Sequence, residues 1–352
     1  MNPSPPIHVI IPVWGEAYTR CFLEVSLPSL LATGNIPELH QQPGHLVHIF
    51  TTAEDRRHIE GAPVFHRLLQ HVDAHFDQIG IALSATDRRH DWMSDCHRKA
   101  IQLADERGAA MLFFNPDIVI ASGAIKSLIR LLKAGKRAVQ VLGVRLAKDE
   151  IVPLFKRNYS SENRTVINIA PRQLVSLGMK HLHELALCHI YNEEKGNLLP
   201  QQLFWRVGDE GLVARCFHLH PLLVYPTRQG AEFTTTIDDD YLRAACPDSE
   251  SEHVVSDSDE LCLFELSGRE RALTAPTVGE FSIAKWAVQR AKPHHFEHVC
   301  RRVILHSGMN NTTEWTRVQN DSDRAIRDIL RTALELKAAP KYQNRWLTSM
   351  SR

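Results

Sequence analysis

Five groups of residues in this chain have types and spacings suited to chemistry. Asn115-Pro116-Asp117 follows the apolar run Met111-Leu112-Phe113-Phe114. A carboxylate at the end of a parallel strand can hold a divalent cation that bridges two phosphates, because Mg²⁺ and Mn²⁺ take oxygen ligands together with phosphate oxygens. The same tripeptide is also ordinary turn chemistry. His218 and His220 share one face if Gly211–Val224 is a single strand. Paired imidazoles suit a transition metal, a phosphate or a proton-transfer role, and they also occur as polar networks inside sheets. Asp238-Asp239-Asp240 places three carboxylates together, which calls for a cation, hydrogen bonds or full exposure. Such a carboxylate can serve as a general base, or Asp240 can cap a short helix. Asp257-Ser258-Asp259 spaces two acids by one residue, but it ends the acidic, Ser-rich stretch Asp248–Asp259 that reads as a solvated loop. His306 follows Val303-Ile304-Leu305 at what reads as a strand-end turn.

Composition narrows what these groups serve. The chain has 352 residues, a length for about two domains or one enlarged α/β domain, and 43% apolar content leaves ample core. Lys plus Arg equals Asp plus Glu at 41 each, which gives no electrostatic argument for nucleic acid or an anionic membrane. Seven scattered cysteines without a CxxC pair argue for a reduced compartment without structural zinc or a disulfide framework. No basic segment followed by an apolar stretch opens the sequence. No apolar run approaches the roughly 18 residues that span a bilayer. The expectation is a protein without a transmembrane segment, free in the cytoplasm or peripheral at the inner membrane face. Of the 20 histidines, only clustered ones carry weight.

The elements that position these groups alternate. Residues 7–13 read as a buried strand and 17–32 as a helix interrupted at Pro28. His45–Phe50 is a second strand, followed by a helix to about His75. Gly80–Ser84 is a third strand. Ser94 caps a helix over Asp95–Arg107, and 110–114 is the next strand. Ser122 caps a helix through Lys133, and 138–144 is strand-like. This βαβαβαβαβ order predicts a mostly parallel, Rossmann-like α/β sheet flanked by helices. Ligands in such sheets bind at the carboxyl ends of the strands, which sets Trp14-Gly15-Glu16 against Asn115-Pro116-Asp117. Beyond 145 the pattern is less regular. It has a helix-like stretch at Gln173–Ile190, one long strand at Gly211–Val224, and short strands at Val254–Asp257 and Leu261–Leu266. The tail is a helical extension capped by Asp321 or Ser322 and ended by Pro340.

Over about residues 7–145 the chain resembles the nucleotide-sugar glycosyltransferases of the GT-A fold, especially the family-2-like group. The resemblance is carried by Val9-Ile10-Ile11-Pro12-Val13-Trp14-Gly15, by Cys96-His97-Arg98-Lys99-Ala100-Ile101-Gln102-Leu103-Ala104, by Leu112-Phe113-Phe114-Asn115-Pro116-Asp117 and by Ser122-Gly123-Ala124-Ile125. The chain departs from the family pattern at Gly15, usually Asn, at Thr51–Asp55, usually an acidic cluster, and at Asn115, usually the first acid of a DxD motif. The resemblance implies a nucleotide-binding half over 1–145, an acceptor and catalytic half of the same domain over 146–270, and a helical region over 271–352. It implies that Pro12, Trp14, Gly15 and Glu16 surround a nucleoside, with Thr52 or Asp55 near its base. Asp95 and Arg98 then lie near the base or phosphates, and Asn115 and Asp117 near the diphosphate.

The expected reaction moves a sugar from a nucleotide-sugar donor to a hydroxyl of a glycan, lipid-linked or small-molecule acceptor. Asp240, Asp238 and His220 are the candidate catalytic groups, with Asp209 and Glu210 competing for the role of base. Asp117 and His218 are the candidate ligands of a Mn²⁺ or Mg²⁺ ion. Two other classes fit less of the sequence. Nucleotidyl transfer normally shows a Gly-rich, basic loop after the first strand, whereas Val13–Thr19 holds one Gly and no basic residue. A non-catalytic GT-A-like module that binds a nucleotide or a partner accounts for Asn115 but not for the carboxylate and histidine clusters.

Overall fold

A computed structural model describes residues 5–40, 43–79, 89–161, 163–193, 200–233, 236–268 and 279–338. In chain order the first strands are β1 (Ile7–Pro12), β2 (Leu46–Thr51), β3 (Asp73–Gln78), β4 (Ala110–Phe113), β5 (Ile118–Ile120), β6 (Ala138–Val141) and β7 (Val144–Ala147). They are followed by β8 (Gln202–Val207), β9 (Gly211–Cys216), β10 (His220–Val224), β11 (Glu252–Val254), β12 (Leu263–Ser267) and β13 (Val303–His306). Seven of them form the main sheet, in the order β11-β6-β10-β4-β1-β2-β3. Pairing is parallel except at β10, which runs antiparallel to β4 and β6. This is the mostly parallel, helix-flanked α/β architecture expected from the alternation.

Why these residues form this sheet is visible in their burial. Every residue of β1 and β2 is buried, and both strands are mostly apolar, as strands covered on both faces are, with His8, His48 and Thr51 the polar exceptions. From β1 the chain winds outward to β2 and β3, then returns to lay β4 on the other side of β1. The reversal opens a crevice at the carboxyl ends of β1 and β4.

Among the described residues there are two further sheets of three strands, β5-β12-β7 and β13-β9-β8. The first grows from the end of β4 and is the scaffold of the site described below. The second carries the helical C-terminal region. Leu203, Trp205, Val213 and Phe217 share a core with Ile283 and Ala287 of the helix Glu280–Arg290, and with Trp315 and Ile329 of the helix Thr312–Ala338. Arg215 on β9, buried at 2% exposure, pins this layer. It donates to Cys300 O (2.6 Å) and Ser322 Oγ (3.3 Å) and pairs with Asp323.

Several expected elements differ. The third strand is Asp73–Gln78, and the preceding helices end at Leu68. On this edge strand only Ala74 and Phe76 pack on the sheet's main core, so its sequence is too polar to read as a strand. The strand expected at Gly80–Ser84 lies outside the described residues. Ser94 is inside the helix Arg89–Arg107 rather than at its cap. The stretch 138–144 is two strands in different sheets, divided at Leu142-Gly143. Gly211–Val224 is likewise divided: Phe217 leaves β9 for the C-terminal core, and β10 restarts at His220 in the main sheet. Asp321 and Ser322 are interior to the last helix, where Ser322 is wholly buried as the Arg215 acceptor. Gln173–Ile190 holds two helices, Pro171–Gly178 and Glu184–Leu187.

Candidate active site

Two turns meet at the crevice. After β1, Val13 N donates to Phe50 O at 2.9 Å, which carries sheet pairing one residue past the strand. Gly15 then turns the chain at φ +84°, in the left-handed region where a Cβ is costly. Asp55 holds this turn in place. Its Oδ2 accepts from Gly15 N (2.9 Å) and Thr52 Oγ1 (2.7 Å), and its Oδ1 accepts from Thr19 Oγ1 (2.9 Å). Thr52 also caps the helix Ala53–Glu60, accepting from Asp55 N at 3.1 Å. The hydroxyl of Thr52 and the carboxylate of Asp55, expected near a base, are thus taken up in shaping the Gly15 turn.

Pro12 is buried at the end of β1, and Trp14 is half-buried beyond it. The Trp14 ring packs on a cluster that includes Ile10, Phe50, Phe113, Phe233, Ile237 and Tyr241. Arg98 lies over the Phe233 ring at 4.9 Å and pairs with Asp95 at 2.7 Å, so these two border the same cluster. Glu16 is exposed and faces Arg20, 3.7 Å away.

The other turn leaves β4. Phe114 N donates to Ile10 O at 2.9 Å, and Pro116 O accepts from Ser26 Oγ at 2.6 Å. Asp117 follows and leads into β5. Antiparallel pairing sets Glu265 of β12 opposite Ile118, and Leu266 N donates to Asp117 O at 2.7 Å. On the far side of β12, Glu265 is in register with Arg145 of β7, whose Nε lies 3.3 Å from Glu265 Oε2. Lys148, at the start of the helix Lys148–Asn158, donates to Ala17 O at 3.4 Å. It therefore reaches from the Asp117 side of the crevice to the chain just past Gly15.

The outcome is that Asp117 lies within electrostatic reach of a second carboxylate, Glu265, and of two cations, Arg145 and Lys148. Burial pushes the Asp117 carboxyl up to about 6, and the charge of Glu265 pushes it in the same direction, while Arg145 and Lys148 oppose. Gly143 makes room for this arrangement: a Cβ there would lie 2.5 Å from Glu265 Oε1.

Two histidines flank the end of β4. The His97 ring meets Phe113 edge-on at 5.2 Å, and burial, then the neighbouring His220, lowers its pKa to about 3. His220 donates from Nε2 to Phe113 O at 3.1 Å. His218 points elsewhere, with its ring 3.9 Å from that of His295 and 6.1 Å from Trp286. The pairings of Asp117 and of His218 place them at different sites, and His218 and His220 do not share a strand face because Phe217–Leu219 lies between β9 and β10.

Asp238 is exposed on the helical turn Ile237–Tyr241, whose Ile237 and Tyr241 are anchored in the cluster under Trp14. The side chain of Asp240 lies outside the described residues. Glu210 is structural: its Oε2 accepts from Asn310 N (3.1 Å) and Trp315 Nε1 (2.8 Å). Asp209 is exposed beside Arg206, at 3.5 Å.

Asp257, Asp259 and His306, separate in the sequence, come together with ligand atoms close enough to hold a metal ion. His306 Nε2 lies 3.2 Å from Asp257 and 3.7 Å from Asp259. Asp259 already has a cation there, since Arg172 grips both its oxygens at 2.7–3.1 Å.

Sequence reasoning missed Glu265, Arg145 and Lys148. A signal existed for Glu265, the single charge in the apolar run Leu261–Leu266. None distinguished Arg145 or Lys148 from other basic residues.

No protein-family model matches the chain, and no curated protein matches it. Among the described residues no helix is long and apolar enough to cross a membrane. Among solved structures the chain is similar to S. aureus TarS, at 10% identity and a TM-score of 0.35, over 84% of this chain and 42% of that one. It thus spans less than half of that TarS chain. It is also similar to TarS residues 1–349, at 10% identity and a TM-score of 0.39, over 97% of this chain and 78% of that one. A third similarity is to the mannosyltransferase PcManGT from Pyrobaculum calidifontis, solved with GDP-Man and Mn²⁺, at 10% identity and a TM-score of 0.38, over 99% and 81% of the two chains. At this identity and these TM-scores the likenesses do not decide what the chain does.

Proposed function

We propose that this chain transfers a glycosyl group from a nucleotide-sugar donor to an acceptor hydroxyl. The observation that carries the reading is the convergence of Asp117, Glu265, Arg145 and Lys148 beside the Gly15 turn, at the switch point of the sheet. Cations at that point suit a diphosphate, and the half-buried indole of Trp14, next to the Gly15 turn in the chain, suits a nucleoside.

In the proposed reaction the acceptor oxygen attacks the anomeric carbon, and the bond from that carbon to the diphosphate breaks. The bonding pair leaves with the nucleoside diphosphate. Arg145 and Lys148 stabilise the charge that develops on it, and they are held before the reaction by Glu265 and by Ala17 O. The acceptor's proton passes to a carboxylate of the Asp238–Asp240 turn, which Ile237 and Tyr241 anchor under Trp14.

A divalent cation of the Mg²⁺ or Mn²⁺ type fits Asp117 and Glu265. Both are oxygen donors, and burial followed by the Glu265 charge, which raise Asp117, are what a cation would offset. When bound, it would supply further charge neutralisation for the diphosphate. Asn115 contributes a neutral amide where the family has an acid.

Thermal shift over a panel of nucleoside diphosphates and nucleotide sugars, with and without Mn²⁺, tests donor binding. At least one nucleotide is expected to raise the melting temperature of the wild type and not that of Asp117→Ala. If no nucleotide shifts the wild type, the donor reading fails.

A further inference from the structure

A second polar group lies on the opposite wing of the main sheet, away from Asp117. Parallel register sets Ile10 against His48, His48 against His75, and Phe50 against Asp77. His8, His48, His75 and Asp77 therefore occupy one face of β1, β2 and β3. The His48 ring is 6.1 Å from that of His8 and 5.0 Å from that of His75. Asp77 Oδ2 is 3.9 Å from His48 Nε2, and Asp77 Oδ1 is 3.9 Å from His75 Nε2. One ligand atom from each of His48, His75 and Asp77 lies within 4.8 Å of the others.

Three of these groups are buried, and several of their polar atoms lack the partners that burial demands. His8 is 0% exposed, His48 3% and Asp77 9%. Among the described residues, Asp77 Oδ2, His48 Nδ1 and both ring nitrogens of His8 have no hydrogen-bond partner. Buried polar atoms are nearly always paired, and an unpaired one is a reason to look for an ion or a water. The orphan oxygen of Asp77 is the one turned toward His48. The His48 ring is nearly fully buried, with its Nε2 turned toward the Asp77 carboxylate. His75 is 56% exposed at its side chain and opens the cluster to solvent.

We propose that His48, His75 and Asp77 form a binding site for a borderline divalent transition ion of the zinc class. Two imidazoles and one carboxylate are a donor set for such an ion, and three protein ligands leave one position for water or a small ligand. Metal–ligand bonds of about 2.0–2.2 Å place tetrahedral ligand atoms roughly 3.4 Å apart. The observed 3.9 Å separations run to different oxygens of Asp77, so closing to that takes a turn of the carboxylate together with a movement of the exposed His75 ring. Lys99, whose Nζ is paired with Asp77 Oδ1, is the competing cation, and its 55% exposed side chain can turn out to solvent. The inference is independent of the donor site and stands or falls without it.

The test titrates the metal-free full chain with Co²⁺ alone, reading visible absorption and melting temperature. One equivalent is expected to bind with the intense absorption of a low-coordinate site and to raise the melting temperature, since the ion binds the folded state. His75→Ala, at an exposed position that leaves the metal-free melting temperature unchanged, should weaken binding at least tenfold and abolish the absorption. Lys99→Gln should tighten binding several-fold by removing the competing charge, an effect that scattered surface histidines would not show. His306→Ala, at the Asp257–Asp259 cluster, should leave the signal intact. The proposal is overturned if the wild type gives no such absorption, as expected when only water fills the site. It is equally overturned if His75→Ala binds like the wild type, or if His306→Ala removes the signal.

Discussion

Glu265 stands in register with Ile118 across the β5–β12 pair, and this seats its charge where it adds to burial in holding the Asp117 carboxyl at about 6. Neutralising Glu265 removes the second of the two influences that raise Asp117, after burial. Glu265→Gln should lower the Asp117 midpoint from about 6 toward the ordinary 3.8. Carboxyl-selective NMR titration of the two proteins measures it. Binding of a divalent cation should weaken as pH falls through about 6 in the wild type, and be weaker at every pH in the variant, which has lost one of the two carboxylates.

The same carboxyl makes a stability prediction. Its folded pKa lies above its unfolded value, so the folded state binds the proton more tightly. Ionising Asp117 therefore costs the fold increasingly as pH rises from 3.8 through about 6. Asp117→Asn removes that cost and should stabilise the protein by about 1–3 kcal/mol at pH 8, with almost no gain at pH 4. Denaturant melts at the two pH values check both sign and window, and the variant should lose donor turnover while gaining stability.

Asp55 fixes the Gly15 turn through three hydrogen bonds. Asp55→Ala leaves Gly15 N and two hydroxyls without their acceptor. It should cost about 2–4 kcal/mol of stability and weaken nucleotide binding, whereas Thr19→Val, which loses one of those bonds, should cost about 1 kcal/mol. Denaturant unfolding of the two variants ranks them.

Gly143 is a steric test of the carboxylate pair. A Cβ 2.5 Å from Glu265 Oε1 must displace a side-chain end rather than backbone. Gly143→Ala should change stability by less than about 1 kcal/mol, yet lower donor turnover tenfold or more by moving Glu265 off Arg145. Turnover assayed beside a thermal melt separates the two effects.

How much of this was legible in the sequence follows from where burial is two-sided. β1, β2 and β4 are buried throughout and mostly apolar, so Ile7–Pro12, Leu46–Thr51 and Ala110–Phe113 read plainly, and with them the crevice between Trp14 and Asp117. β3 is an edge strand, and its Asp73, His75 and Gln78 are exposed, so the apolar run that follows it read as the strand instead. The breaks at Leu142-Gly143 and Phe217–Leu219 were invisible because each continues an apolar run while changing sheets. The far side of the site was lost with them: Arg145 and Glu265 meet only through β7–β12 pairing across about 120 residues of chain. His218 and His220 show the converse, a spacing with a chemical meaning that a strand break cancels.

The central claim is that the Asp117 side of the crevice handles the diphosphate of a sugar donor. The direct measurement is release of nucleoside diphosphate from a panel of nucleotide sugars with Mn²⁺ present, by wild type, Asp117→Asn, and Arg145→Met with Lys148→Met. The wild type is expected to turn over at least one donor, and each variant to lose about a hundredfold or more. Absence of turnover across the panel, or variants as active as the wild type, would contradict it.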